Sequence, residues 1–214
     1  MNRPRFKLCG LQSEQDVITA SSSQADYVGF VFAESKRQVK PEDAASWLER
    51  HELPGKKVAA LFVNASPQEI KQTSSVLRPD IIQLHGAESP EQVQQIKDAM
   101  AEDVWKALPH NDYTLEKMKD YASIVDGFVI DAKVKGAWGG TGQQFDWSHV
   151  PDYVTFGKES GIPVLIAGGI NPTNIKKLLV YEPWGVDLSS GAEKDGRKDK
   201  QRLRDLEEEL MKNV

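Results

Sequence analysis

The stretch PVLIAGGINPTNI, residues 163–175, decides the fold because it contains a strand, a turn and a helix start in direct succession. Its apolar run at 163–169 is nearly continuous, which is typical of a parallel strand that is covered on both faces. A glycine pair ends the run, and Asn171 and Pro172 then supply residues that commonly begin a helix. The stretch therefore predicts a β-strand followed at once by an α-helix.

The same unit recurs along the whole chain. Polar segments with helical periodicity separate the apolar runs, and helix-start signals lie at Ser13, Pro41, Ser66 and Ser89. Further apolar runs lie at 6–9, 27–32, 57–63, 81–86, 104–108, 127–131 and 185–190. Eight units in 214 residues allow about 27 residues each, which is sufficient for a strand and a helix. We therefore predict an α/β fold, a single (β/α)8 TIM barrel over residues 1–214, with the active site at the C-terminal ends of the strands.

An open, doubly wound sheet is the alternative fold. Such a sheet usually has a glycine-rich turn after its first strand, but CGLQSEQD at 9–16 has one glycine and the chain has no GxGxxG motif. Two short segments, HGAE at 85–88 and SGAE at 190–193, resemble each other after the fourth and eighth apolar runs. This echo is what a duplicated half-barrel would show, although four residues do not establish a duplication.

Composition and charge limit the partners. The net charge of −5 provides no basic surface for a nucleic acid. The one basic run, GRKDKQRLR at 196–204, is interrupted by aspartate, so we predict that it is the solvated face of a terminal helix. A single cysteine excludes an internal disulfide, and no apolar run has the length of a signal peptide or a membrane span. We expect a cytoplasmic protein without a membrane partner, and a monomer rather than a dimer.

The strand ends of a barrel carry its chemistry, so the residues there are the candidate site. The polar and reactive residues near these ends are Cys9, Arg37, His85 and Asp131. Glycine-rich turns follow the seventh and eighth strands, at Gly168, Gly169, Ser190 and Gly191. Barrels often bind a phosphate at this position through exposed backbone N–H groups, although each glycine is equally compatible with a tight turn alone. Two such turns side by side predict a phosphate site.

The strand-end motifs, taken in order, resemble phosphoribosylanthranilate isomerase of tryptophan biosynthesis. The matching segments are KLCGL at 7–11, GFVFAESKRQV at 29–39, ALFVN at 60–64, IIQLHG at 81–86, GGTGQQFDW at 139–147, AGGINPTNI at 167–175 and VDLSSGAE at 186–193. Single pieces such as AGG are common in phosphate-binding barrels. The ordered combination of KxCG, GFVFxxSxR, QLHG and GGTGxxFDW is specific to this family.

The resemblance implies a small phosphosugar substrate, N-(5'-phosphoribosyl)anthranilate, and an Amadori rearrangement to 1-(2-carboxyphenylamino)-1-deoxyribulose 5-phosphate. The reaction requires no metal and no organic cofactor. By the same resemblance Cys9 is the general base and Asp131 the general acid. Without the resemblance, a lone cysteine is more often a small buried apolar residue. The first and sixth strands are three steps apart around a ring of eight, so the two groups would flank a sugar that lies across the mouth.

The remaining residues receive supporting or binding roles. Side chains alternate along a strand, so Lys7 shares the inward face of Cys9, and we predict that Asp187 on the neighbouring eighth strand is its partner. Lys7 either lowers the pKa of the thiol or forms an ion pair that only holds the barrel together. The resemblance assigns Arg37 to the anthranilate carboxylate or to support of the acid, and we expect His85 to bind substrate. Trp138 is a candidate cover for the anthranilate ring.

Three rival functions remain open from the residues. A related sugar-phosphate isomerase of histidine biosynthesis would have an aspartate in place of Cys9 and a second phosphate turn, but the third strand ends in VNAS. An epimerase or aldolase would need a metal cluster or a Schiff-base lysine at a strand end. A non-catalytic phosphosugar-binding barrel would not need both Cys9 and Asp131.

Overall fold

The fold is a closed barrel of eight parallel strands, which confirms the predicted class. The computed structural model describes residues 3–132 and 144–212. The strands follow one another around the barrel in chain order, and β8 pairs with β1 to close it. Their bounds are β1 Arg5–Cys9, β2 Tyr27–Val31, β3 Lys57–Phe62, β4 Ile81–Leu84, β5 Asp103–Pro109, β6 Gly127–Asp131, β7 Val164–Ile166 and β8 Gly185–Leu188.

A helix follows each strand, and several helices begin at the residues that the sequence indicates. Ser66 and Ser89 form capping boxes with Glu69 and Gln92, so each satisfies backbone N–H groups that the first turn leaves unpaired. The helices are α1 Glu14–Ser21, α2 Pro41–Arg50, α3 Pro67–Leu77, α4 Pro90–Ala99, α5 Thr114–Tyr121, α6 Val150–Ser160, α7 Ile175–Leu179 and α8 Lys200–Met211. Within the described ranges, none of these helices has the length and apolar character that a membrane span requires.

Two apolar layers hold the barrel together. The larger layer lies between the strands and the helices, where outward-facing residues such as Phe6, Phe30 and Phe128 are fully buried. The smaller layer fills the barrel interior with side chains from β3 to β7, including Trp105 and Leu165. Since both faces of the strands are covered, their sequences read as continuous apolar runs. The polar residues at the strand ends are therefore exceptions that need partners.

The last part of the barrel differs from the expectation. A 3₁₀ turn at Ser190–Ala192 and a small antiparallel hairpin, β9 Glu193–Lys194 and β10 Arg197–Lys198, come between β8 and α8. The prediction that the basic run at 196–204 is wholly a solvated helix face was therefore wrong at Lys198. That side chain is buried because its ammonium group contacts a carboxylate and two backbone carbonyls in the barrel rim.

Candidate active site

Cys9 and Asp131 occupy equivalent places at the barrel mouth, as the last residues of β1 and β6. Both are buried, with 6% and 7% of their surfaces exposed. Cys9 packs beside Val31 and Leu61 on the inner wall. The two strands are three steps apart around the closed ring, as expected. A thiol and a carboxyl group are thus fixed on nearly opposite sides of the mouth.

Lys7 forms the predicted ion pair with Asp187. The two residues are directly opposite in the β1–β8 ladder, and the Lys7 Nζ lies 3.0 Å from the Asp187 Oδ1. The Lys7 side chain is fully buried, and its ammonium group also faces the Cys9 thiol. The ladder that closes the barrel therefore places a paired charge one layer beneath the thiol.

Burial dominates the titration of the thiol. Removal from water raises the pKa of Cys9, and the positive charge of Lys7 lowers it by a smaller amount. Burial by itself lowers the pKa of Lys7. Asp187 and the thiol together outweigh this effect, so the pKa of the ammonium group lies above its ordinary value. Lys7 therefore stays charged and acts on the thiol in the predicted direction, yet it does not make the thiol unusually acidic.

Arg37 is built into the rim of the mouth. Its Nε and Nη2 donate to the two carboxylate oxygens of Glu193 at 2.7 and 2.8 Å, which is the bidentate geometry that guanidinium groups favour. Arg37 has only 6% of its surface exposed. Arg37 is therefore not a solvated loop side chain, although it lies in the loop after β2. The structure fixes the guanidinium plane before any ligand arrives.

Glu193 joins Arg37 to Lys198. The Lys198 Nζ donates to the Glu193 Oε1 at 3.0 Å, so one carboxylate lies between two buried cations. Burial by itself raises the pKa of Glu193. The hydrogen bonds from Arg37 and the charge of Lys198 outweigh this effect and lower the pKa to about 2. Glu193 is thus ionised at any physiological pH.

His85 lies beside the candidate acid. It follows β4 directly, and its Nε2 is 3.5 Å from the Asp131 Oδ2. A buried pair, Glu88 and Lys106, holds the loop that carries His85, with 2.8 Å between the Lys106 Nζ and the Glu88 Oε2. Glu88 also accepts hydrogen bonds from the backbone N–H groups of Asn64 and Gly86. The structure thus places His85 next to Asp131 at the mouth.

The two glycine-rich turns touch each other. Gly168 and Gly169 follow β7 with φ angles of 88° and 64°, which glycine adopts without steric cost. Gly191 packs so closely on the first turn that a Cβ there would lie 1.8 Å from the Ile170 carbonyl oxygen. Ser190 and Gly191 belong to the 3₁₀ turn after β8. The turns after β7 and β8 therefore form one continuous surface.

Known structures share this architecture. One is a structure of monomers generated from the dimeric phosphoribosylanthranilate isomerase of Thermotoga maritima, with a TM-score of 0.81 and 30% identity over 99% of this chain and 100% of that one. Another is a phosphoribosylanthranilate isomerase in complex with reduced 1-(o-carboxyphenylamino)-1-deoxyribulose 5-phosphate, with a TM-score of 0.81 and 29% identity over the same shares. The family model for N-(5'-phosphoribosyl)anthranilate (PRA) isomerase matches residues 6–209.

The chain belongs to the N-(5'-phosphoribosyl)anthranilate isomerase family. The isomerase of this name from Geobacillus thermodenitrificans is 48% identical over 95% of this chain and 92% of its own length. The activity is accordingly the isomerisation of N-(5'-phosphoribosyl)anthranilate, a step of tryptophan biosynthesis. This identity removes the rival assignments to an epimerase, an aldolase or a non-catalytic barrel.

The sequence analysis missed part of the isomerase site. Glu88, Lys106, Glu193 and Lys198 are buried charged residues behind the rim, and none was a candidate. The echo between HGAE and SGAE was the available signal, because its two glutamates are the carboxylates of the two buried pairs. Trp138 and the GGTG segment at 139–142 lie outside the described residues.

The lowered pKa of Glu193 predicts that the isomerase loses stability in acid. A carboxylate whose pKa is lowered on folding contributes stability above its unfolded value of 4.5, and that contribution is lost as the pH falls toward about 2. We expect this group alone to remove roughly 3 kcal/mol from the free energy of unfolding across that window. Urea unfolding of the wild type and of Glu193→Gln between pH 6 and pH 2.5 measures the difference.

The variant and a control separate this effect from general acid unfolding. Glu193→Gln leaves two buried cations without their counter-charge, so we expect it to be less stable at pH 6 by about 3–5 kcal/mol. Its stability should then fall less steeply with decreasing pH than that of the wild type. Glu159→Gln, at an exposed position on α6, should reproduce the wild-type curve. Parallel curves for the wild type and Glu193→Gln would contradict the assignment.

Proposed function

We propose that Cys9 is the general base and Asp131 the general acid of the isomerisation. The observation that supports this assignment is their placement as the buried terminal residues of β1 and β6, on nearly opposite sides of one barrel mouth. A substrate whose ribose lies between them would present its ring oxygen to one group and its C2 hydrogen to the other. General acid and base groups must be within hydrogen-bond reach of the protons that they move.

The chemistry then needs two proton transfers at the sugar. Asp131, in its protonated form, donates a proton to the furanose ring oxygen while the C1–O bond breaks, and the anilino nitrogen forms an iminium with C1. The Cys9 thiolate removes the proton from C2, which gives an enolamine. Protonation at C1 and loss of the proton from the C2 hydroxyl give the ketone, 1-(2-carboxyphenylamino)-1-deoxyribulose 5-phosphate. The reduced form of this product is the ligand named for a solved relative.

Lys7 takes a supporting role in this proposal. Because burial raises the pKa of Cys9, only a small fraction of the thiol is ionised at neutral pH, and each nearby positive charge increases that fraction. Lys7 is held in the charged state by Asp187, 3.0 Å away. It therefore supplies the positive charge that the thiolate requires, while Asp187 keeps the ammonium group in place.

Binding is assigned to the rest of the rim. The surface made by Gly168, Gly169, Ser190 and Gly191 would take the 5'-phosphate through backbone N–H groups, since three of these four residues have no side chain to obstruct an anion. Arg37 keeps its Nη1 outside the bond to Glu193, so this nitrogen is available to the anthranilate carboxylate. His85 would bind substrate next to Asp131.

Substitution of the two proposed catalytic groups tests the mechanism. Cys9→Ser and Asp131→Asn should each lower kcat by at least 100-fold, because general acid–base groups typically contribute 10²–10⁴-fold. The assay generates N-(5'-phosphoribosyl)anthranilate in situ and follows the loss of its fluorescence. Asp112→Asn, an exposed change in the loop after β5, is the control and should keep wild-type activity. Wild-type activity in Cys9→Ser or Asp131→Asn would refute the role of that residue.

The phosphate surface is tested separately through binding of inorganic phosphate. Gly191→Ala places a methyl group against the Ile170 carbonyl, so the two turns must separate. We expect the inhibition constant for inorganic phosphate and the KM for substrate to rise at least tenfold. Gly157→Ala is the control, because Gly157 lies on α6, away from the mouth, and its Cβ would meet the Ile162 carbonyl oxygen at 3.0 Å. Equal effects of both substitutions on phosphate inhibition would show that the surface has no special role.

We also propose that residues 1–214 form one domain that acts as a monomer in the cytoplasm. Among the described residues, the large apolar side chains that are exposed are distributed over several helices and loops. Exposed apolar residues that are scattered singly in this way are normal for a monomer. These residues are Val76, Tyr113, Val180, Trp184 and Met211. A free catalytic thiol is compatible with a reducing compartment.

Sedimentation velocity tests the oligomeric state. We expect one species with the mass of a single chain at micromolar concentrations. The Thermotoga maritima relative is described as dimeric, so a dimer is a definite alternative. A sedimentation coefficient that increases with concentration toward that of a dimer would overturn the proposal of a monomer.

A further inference from the structure

Lys198 is a buried lysine that the proposed mechanism does not use. It lies on β10, and its ammonium group is enclosed among three acceptors. The Nζ donates to the Cys9 carbonyl oxygen at 2.6 Å, to the Ser189 carbonyl oxygen at 3.2 Å and to the Glu193 Oε1 at 3.0 Å. An ammonium group has three hydrogens, so these three bonds satisfy it completely.

The two carbonyls belong to the ends of the strands that close the barrel. The β1–β8 ladder ends with Leu8 opposite Leu188, so Cys9 and Ser189 would be the next pair along it. Beyond the ladder, the Lys198 ammonium group connects the two backbones instead. One of these carbonyls belongs to the proposed base, and the other directly precedes the turn assigned to the phosphate. Lys198 thus links the two functional ends of the site.

Lys198 also contributes charge near the thiol. The groups that act on Cys9 are Lys7 on β1, Asp187 on β8, Arg37 after β2 and Lys198 on β10. Burial lowers the pKa of Lys198, but Glu193 opposes this shift and favours the charged form. The positive charge of Lys198 in turn lowers the pKa of Cys9 against the effect of burial. Lys198 therefore acts on Cys9 in two ways, through the hydrogen bond to its carbonyl and through the charge near its thiol.

We propose that Lys198 is a positioning residue that joins the end of β1 to the end of β8, so that the Cys9 thiol and the phosphate turn keep a fixed separation and the thiolate faces a positive charge. The inference rests on the assignment of Cys9 as the base. It predicts that the reaction and phosphate binding weaken together when Lys198 is lost. A residue that only stabilised the fold would leave the titration of the thiol unchanged.

Alkylation of the single cysteine tests the inference without turnover. Iodoacetamide reacts with the thiolate, so the pH at which its rate reaches half of the plateau reports the thiol titration, whatever the absolute accessibility. In Lys198→Met we expect this midpoint to rise, which lowers the fraction of thiolate near neutral pH. We also expect kcat to fall at least tenfold and the inhibition constant for inorganic phosphate to rise several-fold.

Arg197→Met is the matched control because it removes a positive charge from the same short strand at an exposed position. It should leave the alkylation midpoint, kcat and phosphate inhibition at wild-type values. Circular dichroism of each variant confirms that the measurements refer to folded protein. A folded Lys198→Met protein with an unchanged midpoint, or with unchanged phosphate inhibition, would overturn the inference.

If Lys198→Met does not fold, Lys198→Arg is the second variant that tests the inference. It keeps the charge but replaces the compact ammonium group by a planar guanidinium that cannot reproduce the three bonds. We expect a midpoint close to the wild type together with a reduced kcat, and a wild-type kcat or a shifted midpoint would refute the inference. Failure of the base assignment can be distinguished from failure of this inference. If Cys9 is not the base, Cys9→Ser keeps its activity. The alkylation midpoints report the effect of Lys198 on the thiol in either case.

Discussion

The pairing of β8 with β1 closes the barrel, and its register places Lys7 opposite Asp187, directly beneath the thiol of Cys9. A shift of this register by one residue would turn every side chain of β1 to the other face and leave the Lys7 charge without a partner. Closure of the fold and the placement of a positive charge beneath the proposed base therefore depend on the same ladder. A lysine that is fully buried in a barrel interior is tolerated only because the last strand supplies its counter-charge.

The buried charges at the mouth serve geometry more than stability. A buried ion pair loses much of its electrostatic gain to desolvation, whereas removal of one partner leaves a costly uncompensated charge. Arg37, Glu193 and Lys198 therefore hold one another in place, because separation of any of them would leave a buried charge without its counter-charge. The bidentate bond at 2.7 and 2.8 Å fixes the guanidinium plane, so substrate binding needs little further ordering of that side chain. An isomerase gains from a site that is already arranged in this way, because the polar groups need no reorganisation during the reaction.

The parts of the structure that could be predicted depend on local pattern and on barrel symmetry. Apolar runs located all eight strands, and alternation along β1 with ring closure was sufficient to pair Lys7 with Asp187. The parts that were missed depend on contacts between distant residues, such as Arg37 with Glu193. Lys198 illustrates the difficulty, because its neighbours Arg197 and Lys200 are charged and its short strand has only two residues. Nothing in the local sequence distinguishes Lys198 from these exposed neighbours.

Lys106 and Lys198, two of the three lysines that are buried among the described residues, solve the same problem at different points of the rim. Lys106 donates to the Gly86 carbonyl at 2.8 Å and pairs with Glu88, while Lys198 donates to the Cys9 carbonyl and pairs with Glu193. Both carbonyls lie where a strand has ended and the ladder no longer provides a donor, so they need one from elsewhere. A flexible ammonium group supplies several donors from behind the rim. These two ammonium groups therefore order the rim from behind and do not occupy its inner side.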